Sequence, residues 1–174
     1  PHRAWGETVG DLLLGIDVGT SAVKAGVFDS EGRLQALGRS PCAMQSPHPG
    51  WAECRAADWW QALAAAVGQA LEEVPAERIA GVGLSVLFPA VAPLDAAGHP
   101  LGPAILYCDQ RSTAQVEAIE GAAGRAAYQA RTGNTLAPGT CAVTSMAWLR
   151  DEQPEVYASA RTLAFVNTLL LGRL

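Results

Sequence analysis

The chain has 174 residues, 49% of them apolar and 17% charged, with a formal net charge of −5. That is enough apolar material to bury a core within one domain, and the composition is that of a globular protein, not a disordered one. The acidic balance and scattered arginines argue against a nucleic-acid partner, and no apolar run approaches the roughly 18–20 residues a helix needs to cross a bilayer, so no membrane partner is expected either.

Residues 1–11 read as a leader outside the fold, without a signal-peptide pattern. Leu12 to Asp29, LLLGIDVGTSAVKAGVFD, then reads as two short strands joined by a tight turn, Asp17-Val18-Gly19-Thr20-Ser21. Gly19 lacks a Cβ, so the backbone there can approach a ligand closely. Thr20 and Ser21 offer hydroxyls, and the amides of such a turn can form an anion-binding nest. Asp17, an acid beside a phosphate turn, makes sense when a cation such as Mg²⁺ stands between the like charges. Lys24 is the only lysine in the chain. It is either a point-charge partner for phosphate or a solvated residue on the second strand. The turn as a whole is either phosphate-binding or an ordinary Gly-Thr hairpin corner.

Asp29-Ser30-Glu31-Gly32 marks another turn, and Arg33–Arg39 a weak third strand of an antiparallel meander. Residues 40–54 form a loop rich in Pro, Gly and Ser. Its Trp51 is expected to staple the loop to the core, while Glu53 is left open. A helix is predicted from Asp58 to about Glu73, with Trp59, Leu63, Ala66, Val67, Ala70 and Leu71 on one face. Ile79–Ser85 reads as a buried strand returning parallel, which makes a βαβ crossover and an α/β architecture. Val86 to Ala90 follows at the carboxyl end of that strand, where ligand sites of open α/β sheets lie. Val91–Leu94 and His99–Leu106 read as a hairpin around Asp95–Gly98. Tyr107, Asp109 and Arg111 end it. From Ser112 the pattern is mostly helical, with a loop at TGNTLAPG, a strand near Thr162–Val166 and a last helix from Asn167.

Cys42, Cys54, Cys108 and Cys141 lie far apart with no C-x-x-C pair. They read as reduced packing thiols, which suits a cytoplasmic protein. His2, His48 and His99 show no metal-ligand spacing, and His99 is expected at the surface.

Several ordered segments together carry a resemblance. GIDVGTSAVKAGVFDSEG, PHPGWAECRAADWW at 47–60, AGVGLS with PLDAAGHPLGPAILYCDQR at 80–111, and TGNTLAPG with Trp148-Leu149 and PEVY resemble, in order, the blocks of the FGGY carbohydrate kinases. The resemblance implies an actin-like ATPase (ribonuclease H-like) domain: α/β, a mixed sheet with flanking helices. It makes residues 12–174 the first, N-terminal domain, truncated, with the second domain absent. It implies transfer of the ATP γ-phosphoryl group to a sugar or polyol hydroxyl. ATP phosphates would be bound by Gly19, Thr20, Ser21 and Lys24, and Mg²⁺ by Asp17, directly or through water. Phe88, Pro89, Tyr107, Asp109 and Arg111 would line the substrate side. No catalytic residue is expected in this chain, because the family's base is an Asp that would fall after residue 174. The isolated chain is therefore expected to be inactive. Self-association into a homodimer is left open.

Two departures stand out. Where xylulokinases carry Met-His and glycerol kinases Arg-Glu, this chain has Phe88-Pro89, which cannot hydrogen-bond through its side chains. Tyr107 replaces the usual Trp, keeping an apolar face and adding a hydroxyl. Asp109 and Arg111 fit either a sugar contact or an ion pair that pins the strand to the next helix. A non-catalytic ligand-binding module of the same fold and another actin-like ATPase remain as alternatives.

Overall fold

A computed structural model describes residues 10–173. The chain divides into two compact units, Pro1–Ala43 with Asp58–Val86, and Met44–Ala57 with Leu87–Leu174.

The first unit is built on a sheet of β1 (Leu12–Val18), β2 (Ala22–Phe28), β3 (Leu34–Pro41) and β5 (Ile79–Val86), in the order β3-β2-β1-β5. β1, β2 and β3 form the expected antiparallel meander, and β5 returns parallel to β1. The period-2 pattern explains one buried face. Leu12, Leu14, Ile16 and Val18 alternate inward on β1, with Val23, Ala25 and Val27 on β2. Helix α1 (Ala56–Leu71) contributes Trp59, Ala62, Leu63, Ala66 and Ala70 to the core of this unit. It runs close to β3, where a Cβ on Gly38 would collide with the Ala66 carbonyl, and the Gln69 side chain accepts the Arg39 N–H at 2.9 Å. The opposite face carries a row of three cross-strand glycines, Gly26, Gly15 and Gly83. It ends at Asp17, Lys24 and Ser85, and the whole strip lines one shallow trough.

Two expectations are corrected here. Ile79–Ser85 reads as a buried strand, yet no residue of β5 is buried. β5 is an edge of its sheet among the described residues, and an apolar run alone does not distinguish a central strand from an edge. Gly10 and Asp11, assigned to the leader, pack on the fold: the Asp11 carboxylate takes two hydrogen bonds from Arg78, at 2.9 and 2.6 Å. The rest of the expected leader, with His2, lies outside the described residues.

The second unit holds an antiparallel sheet, β4 (Glu53–Cys54), β7 (Ala104–Leu106), β6 (Ala90–Leu94) and β8 (Thr162–Ala164), in the order β4-β7-β6-β8. The expected hairpin is present as β6 and β7, with Val91 opposite Ile105. Helices α2 (Thr113–Ala123), α3 (Arg125–Thr132), α4 (Ala142–Glu152), α5 (Pro154–Ser159) and α6 (Val166–Leu171) follow. Pro154 opens α5 at a position where a missing N–H costs nothing. Val91, Ile105, Trp148 and Leu149 form one buried cluster, and Val116, Leu136 and Cys141 another.

Candidate active site

The turn between β1 and β2 is closed by the Gly19 N–H, which donates to the Ala22 carbonyl at 3.0 Å. A Cβ on Gly19 would lie 3.1 Å from that oxygen, so a side chain there would crowd the turn. The expectation that the Gly19 backbone holds phosphate is corrected to this extent: its N–H is already used. The Thr20 and Ser21 hydroxyls have no hydrogen-bond partner among the described residues; Thr20 is half-buried and Ser21 exposed. They are the free polar groups of the turn.

Asp17 and Lys24 are directly opposed across the β1–β2 ladder, on the same face of the sheet. Lys24 Nζ donates to Asp17 Oδ2 at 3.1 Å, with the two side chains 55% and 52% exposed. Such a pair is held weakly and can exchange partners. Among the described residues no group of three or more acidic, His or Cys side chains forms a metal cage. A single exposed carboxylate beside a turn with two unpaired hydroxyls still fits Mg²⁺, which keeps most of its waters and takes the remaining ligands from one or two carboxylates and from phosphate oxygens.

The substrate-side candidates lie in the second unit. Phe88 is 64% exposed, its ring edge-on to Phe165 at 4.9 Å, and the Phe88–Pro89 peptide is cis. Pro89 is buried, so of this pair Phe88 alone presents its side chain to solvent. Tyr107 is 38% exposed.

Asp109 and Arg111 differ from those two. Asp109 is fully buried. Its Oδ2 accepts the Ala52 N–H at 2.6 Å and Arg111 Nη2 at 2.8 Å; its Oδ1 accepts the Arg111 N–H at 2.8 Å and Arg111 Nε at 2.9 Å. Arg111 Nη1 lies 2.8 Å from Glu53 Oε1. The guanidinium is 3.6 Å from the ring centre of Trp51 and 4.9 Å from that of Trp148. The expectation of direct substrate contact by Asp109 and Arg111 is corrected: burial and saturated hydrogen bonding make them a structural ion pair, completed by Glu53. Trp51 is half-buried and edge-on to Trp148 at 5.3 Å, tying its loop to the core.

Reading the sequence missed Trp148 as the second ring beside the Arg111 guanidinium and Gly139 as a packing contact of the Tyr107 segment. The first had a signal, since Trp is one of only five in the chain. His99 is an exposed surface residue, its side chain 75% accessible. Cys42, Cys54 and Cys141 are buried and Cys108 is half-buried, and none of the four is in a disulfide.

A family profile described as "FGGY family of carbohydrate kinases, N-terminal domain" matches residues 12–174. This chain belongs to the FGGY family. The FGGY chain is 37% identical over 147 residues to the L-xylulose/3-keto-L-gulonate kinase of Escherichia coli K12, covering 83% of this chain and 29% of that protein. It is 32% identical over 167 residues to the xylulose kinase of Streptomyces coelicolor, covering 95% of this chain and 34% of that one. Among solved structures it resembles the xylulose kinase from Rhodospirillum rubrum, with a TM-score of 0.87 and 26% identity, over 92% of this chain and 33% of that one. The FGGY chain thus spans about a third of the length of these relatives, and the expected actin-like fold class agrees with the architecture found here. Among the described residues, no helix is long and apolar enough to cross a membrane.

Proposed function

We propose that this chain supplies the phosphate-handling turn and part of the acceptor pocket of an ATP-dependent kinase that phosphorylates a hydroxyl of a sugar or polyol in the cytoplasm. The observation that carries the reading is the β1–β2 turn of an FGGY chain, where Thr20 and Ser21 present unpaired hydroxyls beside the exposed Asp17–Lys24 pair. Mg²⁺, held by Asp17 directly or through water, would neutralise charge on the transferring phosphoryl group. The Thr20 and Ser21 hydroxyls would donate to phosphate oxygens, and Lys24 would turn from Asp17 to phosphate as a point charge. The acceptor oxygen forms its bond to the γ-phosphorus as the bond to ADP breaks. The hydroxyl proton passes to a carboxylate supplied elsewhere in the full-length protein.

Phe88 narrows the acceptor. A site that hydrogen-bonds a hydroxyl rejects an analogue lacking it by about 10⁴–10⁵, whereas an apolar wall discriminates against an added hydroxyl only ~10²-fold. The acceptor we expect is neither D-xylulose nor glycerol but one with a deoxy or less polar end near Phe88. The test is a kcat/KM panel on the full-length protein with D-xylulose, L-xylulose, gluconate, glycerol and deoxy analogues. The panel is repeated with F88M/P89H, which should favour D-xylulose by roughly 10–10². ATP hydrolysis indifferent to every added sugar would instead favour another actin-like ATPase. Strong D-xylulose preference in the wild type, unchanged by the swap, would remove Phe88 from the specificity argument.

A further inference from the structure

Tyr107 stands at the head of a segment gripped from two sides. On one side, the Gln110 N–H donates to the Gly50 carbonyl at 2.8 Å, and the Ala52 N–H to the Asp109 carboxylate. On the other lies Gly139, in the left-handed region at φ +63°. A Cβ at Gly139 would sit 2.5 Å from the Asp109 carbonyl oxygen, 2.6 Å from that of Tyr107 and 2.9 Å from the Asp109 nitrogen. These are backbone atoms, which cannot swing aside as the tip of a side chain can. The neighbouring Thr140 Oγ1 donates to the Tyr107 carbonyl at 3.4 Å.

The loop that presents Gly139 is itself anchored. Leu136 is 1% exposed in the cluster with Val116 and Cys141, and its carbonyl accepts Arg125 Nη1 at 2.7 Å. Arg125 in turn is bound by Glu120 through two hydrogen bonds. Gly133, at the other end of the same loop, has φ +67° but open space where its Cβ would go. The two glycines therefore share a positive φ and differ in what a side chain would strike.

We propose that Gly139 is a positioning residue for the acceptor pocket: the hydrogen atom in place of a side chain sets the position of the Tyr107–Asp109 backbone and, through it, of the Tyr107 ring against the substrate. The inference rests on the kinase reading above and adds a specificity-determining residue outside the pocket. Any side chain at Gly139 pushes Tyr107 off its place, and sub-ångström errors in a substrate-positioning group are felt in acceptor binding before they are felt at the nucleotide.

The experiment compares Gly139→Ala and Gly139→Asn with Gly133→Ala and Gly133→Asn in the full-length protein, measuring melting temperature and separate KM values for ATP and for the best acceptor among D-xylulose, L-xylulose, gluconate, glycerol and their deoxy analogues. Asn tolerates a positive φ better than Ala, so it isolates the collision from the backbone strain. Substitution at Gly139 should raise acceptor KM by about tenfold or more and leave ATP KM within about twofold, since misplacement by about 1 Å costs up to 10²-fold in such sites. The Gly133 variants should lower the melting temperature through the same φ penalty and leave both KM values unchanged. Should neither Gly139 variant fold, Thr140→Val, which only removes the hydroxyl on the Tyr107 carbonyl, should raise acceptor KM by about two- to fivefold. An unchanged acceptor KM in a folded Gly139 variant, or in Thr140→Val when it is the only one that folds, overturns the proposal. So does an equal rise in the Gly133 variants. Wild-type protein with no acceptor-dependent turnover would sink the kinase reading itself, a result distinct from an active wild type whose variants behave alike.

Discussion

Asp17 and Lys24 meet at 3.1 Å with about half of each side chain in solvent, whereas Asp109 and Arg111 meet at 2.8 Å with 1% and 2% exposed. In sequence the two pairs look alike, an acid and a base at the end of a strand beside a turn. What separates them is the number of partners. Asp17 has one hydrogen bond and can trade it for a cation; Asp109 accepts four from Ala52 and Arg111. A charge available to a ligand must be one that the protein has left partly unsatisfied. A saturated, buried pair cannot change partners without exposing an uncompensated ion, at a cost of several kcal/mol.

The largest expected effect tests the buried pair. Arg111→Ala leaves Asp109 and Glu53 without their cation and removes the guanidinium packed on the Trp51 ring, and should destabilise the chain by about 3–5 kcal/mol. Urea denaturation of the 174-residue chain measures it, and a loss below ~1 kcal/mol would place Arg111 with the surface pairs. The exposed pair should respond the other way round. Asp17→Asn in the full-length protein should lower kcat by about 10²–10³ while altering stability by no more than ~1 kcal/mol. Steady-state kinetics and a melting curve on the same preparation check both halves, and near-normal kcat would put Asp17 outside the chemistry.

The smallest effect concerns a group between these extremes. The Tyr128 hydroxyl lies 2.6 Å from Cys141 Sγ. Burial, and then the contact with Cys141, push its pKa above the ordinary tyrosine value. A raised pKa means that the folded state holds the proton more tightly than the unfolded one. Its contribution is therefore complete below pH about 10 and lost as pH rises through the folded-state value. Tyr128→Phe should flatten the fall in urea midpoint above about pH 10 relative to wild type. Parallel curves for the two proteins would show that another group governs the alkaline loss.

The same contrast explains what the sequence revealed. β1, β2 and α1 were legible because their apolar periodicity is local and strong, as in Leu12, Leu14, Ile16 and Val18. The turn after Asp17 was legible because Gly19, Thr20 and Ser21 stand between two short apolar runs. Asp109 was ambiguous because it is met by Ala52 and Gly139, neither of which is near it in sequence. β4 was invisible for a related reason: two residues, Glu53 and Cys54, become a strand only by pairing with Ile105 and Ala104. The second sheet was therefore not separated from the first. Gly139 carried no local message either, since what forbids a side chain there is the backbone of Tyr107 and Asp109.

The chain changes compact unit three times, after Ala43, after Ala57 and after Val86. During synthesis, the segment Met44–Ala57 leaves the ribosome between two stretches that belong together. Its own strand partner, β7, is made only after all of the first unit has emerged. Until then Glu53, with no Arg111 to meet it, and Trp51, with no Trp148, must wait in water. Such delayed long-range pairing slows folding and leaves apolar surface open to association. A chain cut after Val86 to isolate the first unit would carry this orphaned segment permanently. A soluble first unit is better sought by replacing Met44–Ala57 with a short linker than by choosing a different end point.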